Sequence, residues 1–382
     1  MTSVPTASAP DEVVWEEDGR EHTARWRSES GQPPPRRIHP FKEAVRAERV
    51  HRLVSSGSAI LWRGDYHQAR EVVDALARRI DRTRNRRSMP TDLRERFHRE
   101  RMARTQRAQL LGRVLVPLEA GYVMPLGRAP DVRAACTAAW GPGPDGTLLV
   151  SLRDVLGAIG AFEWQRKGVW VEALDARIHP GYGVFSPVRG EYVDLVAQAP
   201  LPAGAQQAFD IGTGTGVLAS LLARRGLAVV ATDLDARALA CARDTVTRLE
   251  LTALVRVEEA DLFPAGRADV VVCNPPWLPG RATTPLERAV YDPDSAMLHG
   301  FIDGVAEHLT PHGEAWLILS DLAEHLGLRR RDDLLARFAQ AGLRVIERHE
   351  TSPRHARARD ADDALHAARR AERTSLWRLA AA

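Results

Sequence analysis

Over the second half of the chain, short apolar runs alternate regularly with amphipathic stretches. Residues 208–211, 227–232, 254–259, 269–273, 314–319, 343–347 and 375–379 have strand length and strand character. Between them, 217–225, 236–249, 296–309 and 331–341 carry the helical period. Apolar strands alternating with helices predict an α/β fold, a doubly wound, mainly parallel sheet covered on both faces. The first half reads differently. Val72, Leu76 and Ile80 recur at spacing four, with arginines on the other faces, so 41–113 reads as helical. Met89-Pro90-Thr91-Asp92 ends one helix and starts another, with Thr91 or Asp92 as the cap. A Gly/Pro-rich loop at 141–146, a short helix at 151–164 and a strand-like 168–173 follow. These elements predict a mainly helical α+β domain, either winged-helix-like or a plain α+β cap. Residues 1–40 are polar and rich in proline, which predicts a disordered tail. The expected division is therefore 1–40, 41–178 and 179–382.

Composition changes this picture little. At 382 residues and 44% hydrophobic, the chain can bury a full core and hold about two domains. No apolar run reaches the length of a membrane span, and the N-terminus has no secretory pattern. Cys136, Cys241 and Cys273 are far apart and lack metal-ligand spacing, which suits core thiols in a reduced cytoplasm. Charge is more informative. The chain carries +3 overall, but 36–113 holds 21 Lys and Arg against 9 Asp and Glu, a local +12. Such a segment is either the footprint of a phosphate backbone or a solvated helical face. The Arg, Asp and His-rich stretch 348–373 reads either as a solvated helix of mixed charge or, in such a fold, as an insertion near the substrate mouth.

The candidate chemistry lies at predicted strand ends. Asp210-Ile-Gly-Thr-Gly-Thr-Gly216 turns sharply out of the first strand, and its glycines let backbone N–H groups approach a ligand at a helix start. The spacing is not that of a dinucleotide oxidoreductase, because position 217 is Val, and no Gly-Lys-Ser/Thr follows as in a phosphate-loop NTPase. Asp233 ends the second strand, where a carboxylate can accept both hydroxyls of a ribose. Asp235 suits the cap of the next helix better. Asp261 ends the third strand and could accept from an adenine amino group while Leu262 and Phe263 cover the ring. Asn274-Pro275-Pro276-Trp277 follows the fourth. Its prolines have fixed φ and no N–H, so the turn is stiff and its carbonyls stay free to accept. The Asn274 side-chain oxygen and the Pro275 carbonyl can take the two N–H bonds of a planar amine, and Trp277 offers a flat apolar face.

These residues resemble the class I S-adenosylmethionine-dependent methyltransferases over 179–382. The likeness is to the Asn-Pro-Pro-aromatic branch, which includes adenine-N6, guanine-N2 and release-factor glutamine-N5 methyltransferases. The resemblance implies a Rossmann-like sheet and S-adenosylmethionine as cofactor. It implies that Asp210, Gly212, Thr213, Gly214 and Gly216 cradle the methionine part. Asp233 would hold the ribose, Asp261 and Leu262 the adenine. Asn274 would border both cofactor and target, with Pro275, Pro276 and Trp277 completing the catalytic turn. Upstream, 179–191 resembles a segment of the glutamine methyltransferases, which makes Phe185, Pro187 and Glu191 candidate substrate contacts; the threonine expected before Glu191 is absent. The expected substrate is an exocyclic amine of a nucleic-acid base, with ribosomal RNA favoured. A protein glutamine is the alternative. A non-catalytic S-adenosylmethionine- or RNA-binding module is the reading from another class, and the intact Asn-Pro-Pro-Trp opposes it.

Overall fold

A computed structural model describes residues 12–43, 45–85, 90–187, 190–353, 360 and 363–382. The chain forms two compact units, one from residues 1–89 and 98–163, the other from 90–97 and 164–382.

The first unit is built on a six-stranded sheet. Its strands are β1 (Glu12–Glu17), β2 (Arg20–Arg27), β3 (Ile38–Phe41), β4 (Ala59–Trp62), β5 (Val114–Leu118) and β6 (Leu148–Ser151), in the order β1-β2-β6-β5-β4-β3. The expected tail at 1–40 is thus three strands from residue 12 onward. The physical reason is visible in β1, where Val13 and Trp15 alternate with outward-facing residues and are buried. Asp18 and Gly19 then sit at φ 52° and 75°, the positive-φ pair of a tight hairpin, and Glu17 pairs with Arg20. The helical reading of 41–113 holds for α1 (Ala47–Ser55), α2 (Tyr66–Asn85) and α3 (Leu93–Leu111), but it missed β4, a four-residue run buried throughout. A six-stranded sheet also replaces the winged-helix reading. Asp92 is the cap anticipated for α3, accepting from Glu95 N at 2.7 Å. Two further helices, α4 (Arg133–Trp140) and α5 (Leu152–Lys167), follow in sequence.

The second unit starts at 164 rather than 179. Strands β7 (Val169–Val171) and β8 (Ala176–Ile178) form a hairpin that puts Val171, Leu174 and Ile178 into its core. Helix α6 (Glu191–Gln198) leads to the main strands: β9 (Gln207–Ile211), β10 (Ala228–Asp233), β11 (Val255–Glu259) and β12 (Ala268–Cys273). After a small pair, β13 (Leu278–Pro279) and β14 (Tyr291–Asp292), come β15 (Leu309–Ser320), β16 (Leu343–Thr351) and β17 (Thr374–Ala381). The sheet order is β11-β10-β9-β12-β15-β17-β16, parallel except that β17 runs antiparallel to both neighbours. Alternation sorts the side chains. Ala208, Val270, Val272, Trp316 and Ile318 join a core with α6 and α7 (Val217–Arg224), beside Val246 near the end of α8 (Ala236–Arg248). Phe209, Ile211, Val271, Cys273, Ala315 and Leu317 join a core on the other face with α9 (Ala296–Gly304) and α11 (Arg331–Gln340), which flank the short α10 (Leu322–His325). All three cysteines are free and buried, and burial pushes the Cys136 thiol up to about 12. The 348–373 stretch is not simply a solvated helix. Its described part includes α12 (His366–Ala371), with Ala368 buried beside Leu365 and with Arg369 buried against Asp363 at 3.2 Å. Residues 354–359, 361 and 362 of that stretch lie outside the described residues.

Candidate active site

Strand register brings the predicted residues together. Ile211 pairs with Thr232 on one side and with Cys273 on the other. The next residue on each strand is Gly212, Asp233 and Asn274, so these three stand abreast at the carboxyl end of β10, β9 and β12, one strand spacing of about 4.8 Å apart. The connection reverses direction between β9 and β12, and the crevice at such a point is where open α/β sheets bind ligands.

The glycine turn is braced from below and open in front. Asp210 is 1% exposed, and its Oδ2 accepts Thr213 Oγ1–H at 2.7 Å and the Ala219 amide at 2.9 Å. Burial raises its carboxyl to about 6. Asp210 therefore supports the turn from inside. The Thr213 amide donates to Thr232 O at 2.8 Å, tying the turn to β10. Gly214 has φ +55, and a Cβ placed there meets nothing within 4 Å, so the turn faces free space. Gly216, at φ +76, is hemmed in instead: a Cβ there lies 3.1 Å from the Ala242 Cα of α8.

Asp233 locks this turn to the next. Its Oδ2 accepts the Gly214 amide at 3.0 Å and its Oδ1 the Asp235 amide at 2.9 Å. Each carboxylate oxygen has a further lone pair, so both can still accept hydroxyls. Burial raises its pKa from the ordinary value. Asp235 is the helix cap, accepting from Arg237 N at 2.9 Å. Leu234 between them is 61% exposed, an apolar side chain left facing solvent beside Asp233.

Asp261 is exposed and Leu262 half-buried. Leu262 has φ +65, a strained value for a leucine, and its carbonyl accepts Thr232 Oγ1–H at 2.6 Å. Phe263 is half-buried, and its ring stacks on His308 at 4.3 Å and 9° and on Phe301 at 5.9 Å.

The Asn274 turn is held at several points. Pro275 is buried, and Pro276 and Trp277 are half-buried. The Trp277 indole N–H donates to Asn274 Oδ1 at 2.9 Å, and its ring packs against the cores on both faces of the sheet. Arg329 Nη2 donates to the Trp277 carbonyl at 3.3 Å and lies 3.4 Å from Ser295 Oγ. Burial lowers the Arg329 pKa, with Glu324 and Asp292 opposing. Sequence reading missed Arg329, because an arginine in an arginine-rich chain carries no local signal. It also missed Met297, whose methyl group covers Gly212, and Asp292, which accepts the Met297 and Leu298 amides at 2.9 and 3.3 Å.

Phe185, Pro187 and Glu191 come from the segment entering α6, not from strand ends. Phe185 is half-buried, Pro187 buried, and Val188 and Arg189 lie outside the described residues. Glu191 is 4% exposed, and its Oε1 has no hydrogen-bond partner among the described residues. A buried carboxylate oxygen without a donor is costly unless a ligand completes it. His179 donates from Nδ1 to the Gln165 carbonyl at 2.7 Å, a structural bond.

This arrangement fits a cationic nucleoside ligand with a methionine-like tail. The open face at Gly214 and the spare acceptor capacity of Asp233 suit such a ligand.

Comparison with known proteins agrees with the geometry. The family described as methyltransferase small domain matches residues 176–341. The tRNA1(Val) (adenine(37)-N6)-methyltransferase of Vibrio vulnificus is 30% identical over 121 residues, covering 30% of this chain and 51% of that protein. Ribosomal RNA small subunit methyltransferase C of Chromohalobacter salexigens is 35% identical over 134 residues, 33% of this chain and 40% of that protein. The release factor glutamine methyltransferase of Agrobacterium fabrum is 27% identical over 152 residues, 38% of this chain and 53% of that protein. The chain thus spans about half the length of these curated relatives.

Proposed function

We propose that this protein, whose residues 176–341 match the methyltransferase small domain family, moves a methyl group from S-adenosylmethionine to a planar NH2 nitrogen, the exocyclic amine of an RNA base. The observation that carries the reading is the Asn-Pro-Pro-Trp turn standing abreast of the glycine turn and Asp233. Bound there, S-adenosylmethionine supplies a methyl group activated by its sulfonium. Asp233 holds the ribose hydroxyls, Leu234 and Leu262 cover the base, and the Gly214 backbone lets the methionine tail lie close.

The target nitrogen is a poor nucleophile because its lone pair is delocalised into the ring. Asn274 Oδ1 and the Pro275 carbonyl accept its two hydrogens, which raises electron density on nitrogen and aims the lone pair. Alignment and fixed dipoles in a dry site then lower the barrier. No general base is needed in the transition state, since the nitrogen becomes strongly acidic only after transfer.

RNA is favoured over protein by the relatives that act on tRNA and rRNA and by the basic 36–113 segment. Glutamine methylation is the second reading, supported by the 179–191 segment and the release-factor relative. The test is incubation of the purified protein and radiolabelled S-adenosylmethionine with total RNA, and separately total protein, from a strain lacking the gene. Label in a methylated nucleoside supports the proposal; label in a methylglutamine peptide replaces the substrate. A protein that binds neither S-adenosylmethionine nor S-adenosylhomocysteine overturns the reading.

A further inference from the structure

The chain has only two asparagines, Asn85 and Asn274. Asn274 Oδ1 accepts the indole N–H of Trp277 at 2.9 Å. An indole nitrogen donates and does not accept, so this contact decides which end of the amide faces it. The oxygen must point toward Trp277 and the NH2 away. An amide oxygen has two lone pairs, so one stays open for a second donor. Trp277 is itself fixed twice, by its ring in the two cores and by Arg329 at its carbonyl.

We propose that Trp277 is a positioning residue for Asn274, its indole N–H locking the amide with the acceptor toward the target amine. A phenylalanine at 277 would offer a flat ring but no donor. The Asn274 amide could then turn over and present its own NH2 to the substrate's NH2, donor against donor. The geometry stands independently of any substrate. Its kinetic consequence rests on the methyl-transfer reading above.

Selective ¹⁵N-asparagine labelling of the full-length protein yields two side-chain amide pairs, and Asn274→Ala assigns the pair of Asn274. In the wild type that pair is expected to be single and sharp, and the Trp277 indole proton protected from exchange. Trp277→Phe should broaden or double the pair. Asn274→Ala should remove the protection of the Trp277 proton, a measurement that leaves the tryptophan in place. With total RNA as substrate, Trp277→Phe should lower kcat by about three- to tenfold, the scale of one neutral hydrogen bond, at unchanged KM. S-adenosylmethionine affinity should stay the same. Trp277→Ala, losing the ring as well, should also raise KM. An Asn274 pair unchanged by Trp277→Phe overturns the proposal, and so does a changed pair with full kcat. If neither RNA nor protein is methylated, the functional reading falls, and the amide and indole resonances alone decide the positioning role.

Discussion

Asn274, Asp233 and Asp210 lie on three neighbouring strands yet call for three different experiments. Asn274→Ala should lower kcat by roughly two or more orders of magnitude, the scale of a positioned transition-state hydrogen bond, with cofactor affinity near normal. Single-turnover and binding measurements together separate the two effects. Asp233→Ala removes the acceptor of the Gly214 and Asp235 amides as well as the ribose ligand. It should weaken S-adenosylmethionine binding by roughly 1.5–3 kcal/mol, the range for bonds to a charged group, as read by calorimetry. Asp210 acts through stability. Its folded pKa, about 6, lies above the ordinary carboxylate value. The native state therefore holds this proton more tightly than the unfolded chain does. Its contribution is most favourable near pH 4 and is lost as pH rises through 6. Asp210→Asn keeps an oxygen for Thr213 and Ala219 but cannot ionise. Denaturant midpoints for wild type and variant should diverge between pH 4 and 7, the variant losing the falling slope. Parallel curves would show that Asp210 does not titrate in that window.

At the scale of elements, the glycine turn separates two roles within three residues. Gly214 lies at positive φ with open space before it. An alanine there should cost about 1–2 kcal/mol of backbone strain and leave a folded protein. Gly214→Arg should fold as well but project a side chain into the space for the methionine tail and abolish cofactor binding. Gly216 is pressed against α8, so Gly216→Ala has strain and a steric clash together and should destabilise more than Gly214→Ala. Thermal melts beside calorimetry test this ordering. Short elements also explain the sequence reading's misses. Asp18-Gly19 between two alternating stretches was a legible hairpin signal, but the polar, proline-rich average over 40 residues concealed it. Strand β4 is a four-residue apolar run, too short to show a period and flanked on both sides by helices.

For the whole molecule, the basic 36–113 segment is the part expected to meet RNA. Much of its charge is already used internally. Arg63 pairs with Glu17 at 2.7 Å, Arg107 with Asp81 at 2.9 Å and Arg84 with Glu100 at 3.2 Å, while Arg113 donates to the Val54 carbonyl at 2.6 Å. Arg84 is thus engaged internally, and Arg86 and Arg87 lie outside the described residues. Exposed Arg78 and Arg82 are better probes. Reversing both should weaken RNA binding and flatten its salt dependence without changing the modified base, because phosphate contacts position and do not specify. Unchanged, salt-insensitive binding would leave a solvated face and favour the glutamine reading. Truncation must respect the second unit, which includes 90–97. Leu93 and Phe97 pack against Leu278, Leu322 and Leu365, so a fragment of 164–382 should bind cofactor but melt earlier than the full chain.

What could be read along the chain was local and periodic. Strand and helix alternation from 208 onward, the glycine turn, the cap at Asp235 and the stiff Asn-Pro-Pro turn each follow from residues close in sequence. Such signals survive without knowledge of the fold. What could not be read depends on contacts between distant residues. Neither Asp210 nor Phe263 shows its partners locally, and only packing makes the first a brace of the glycine turn and stacks the half-buried second on His308. Arg329 is 52 residues from the tryptophan it holds. Met297 reaches Gly212, and Leu93 joins the cluster that holds Leu365, only through the tertiary fold. Periodicity reports which face of an element is apolar. Which partner covers that face is decided when the strands choose their neighbours.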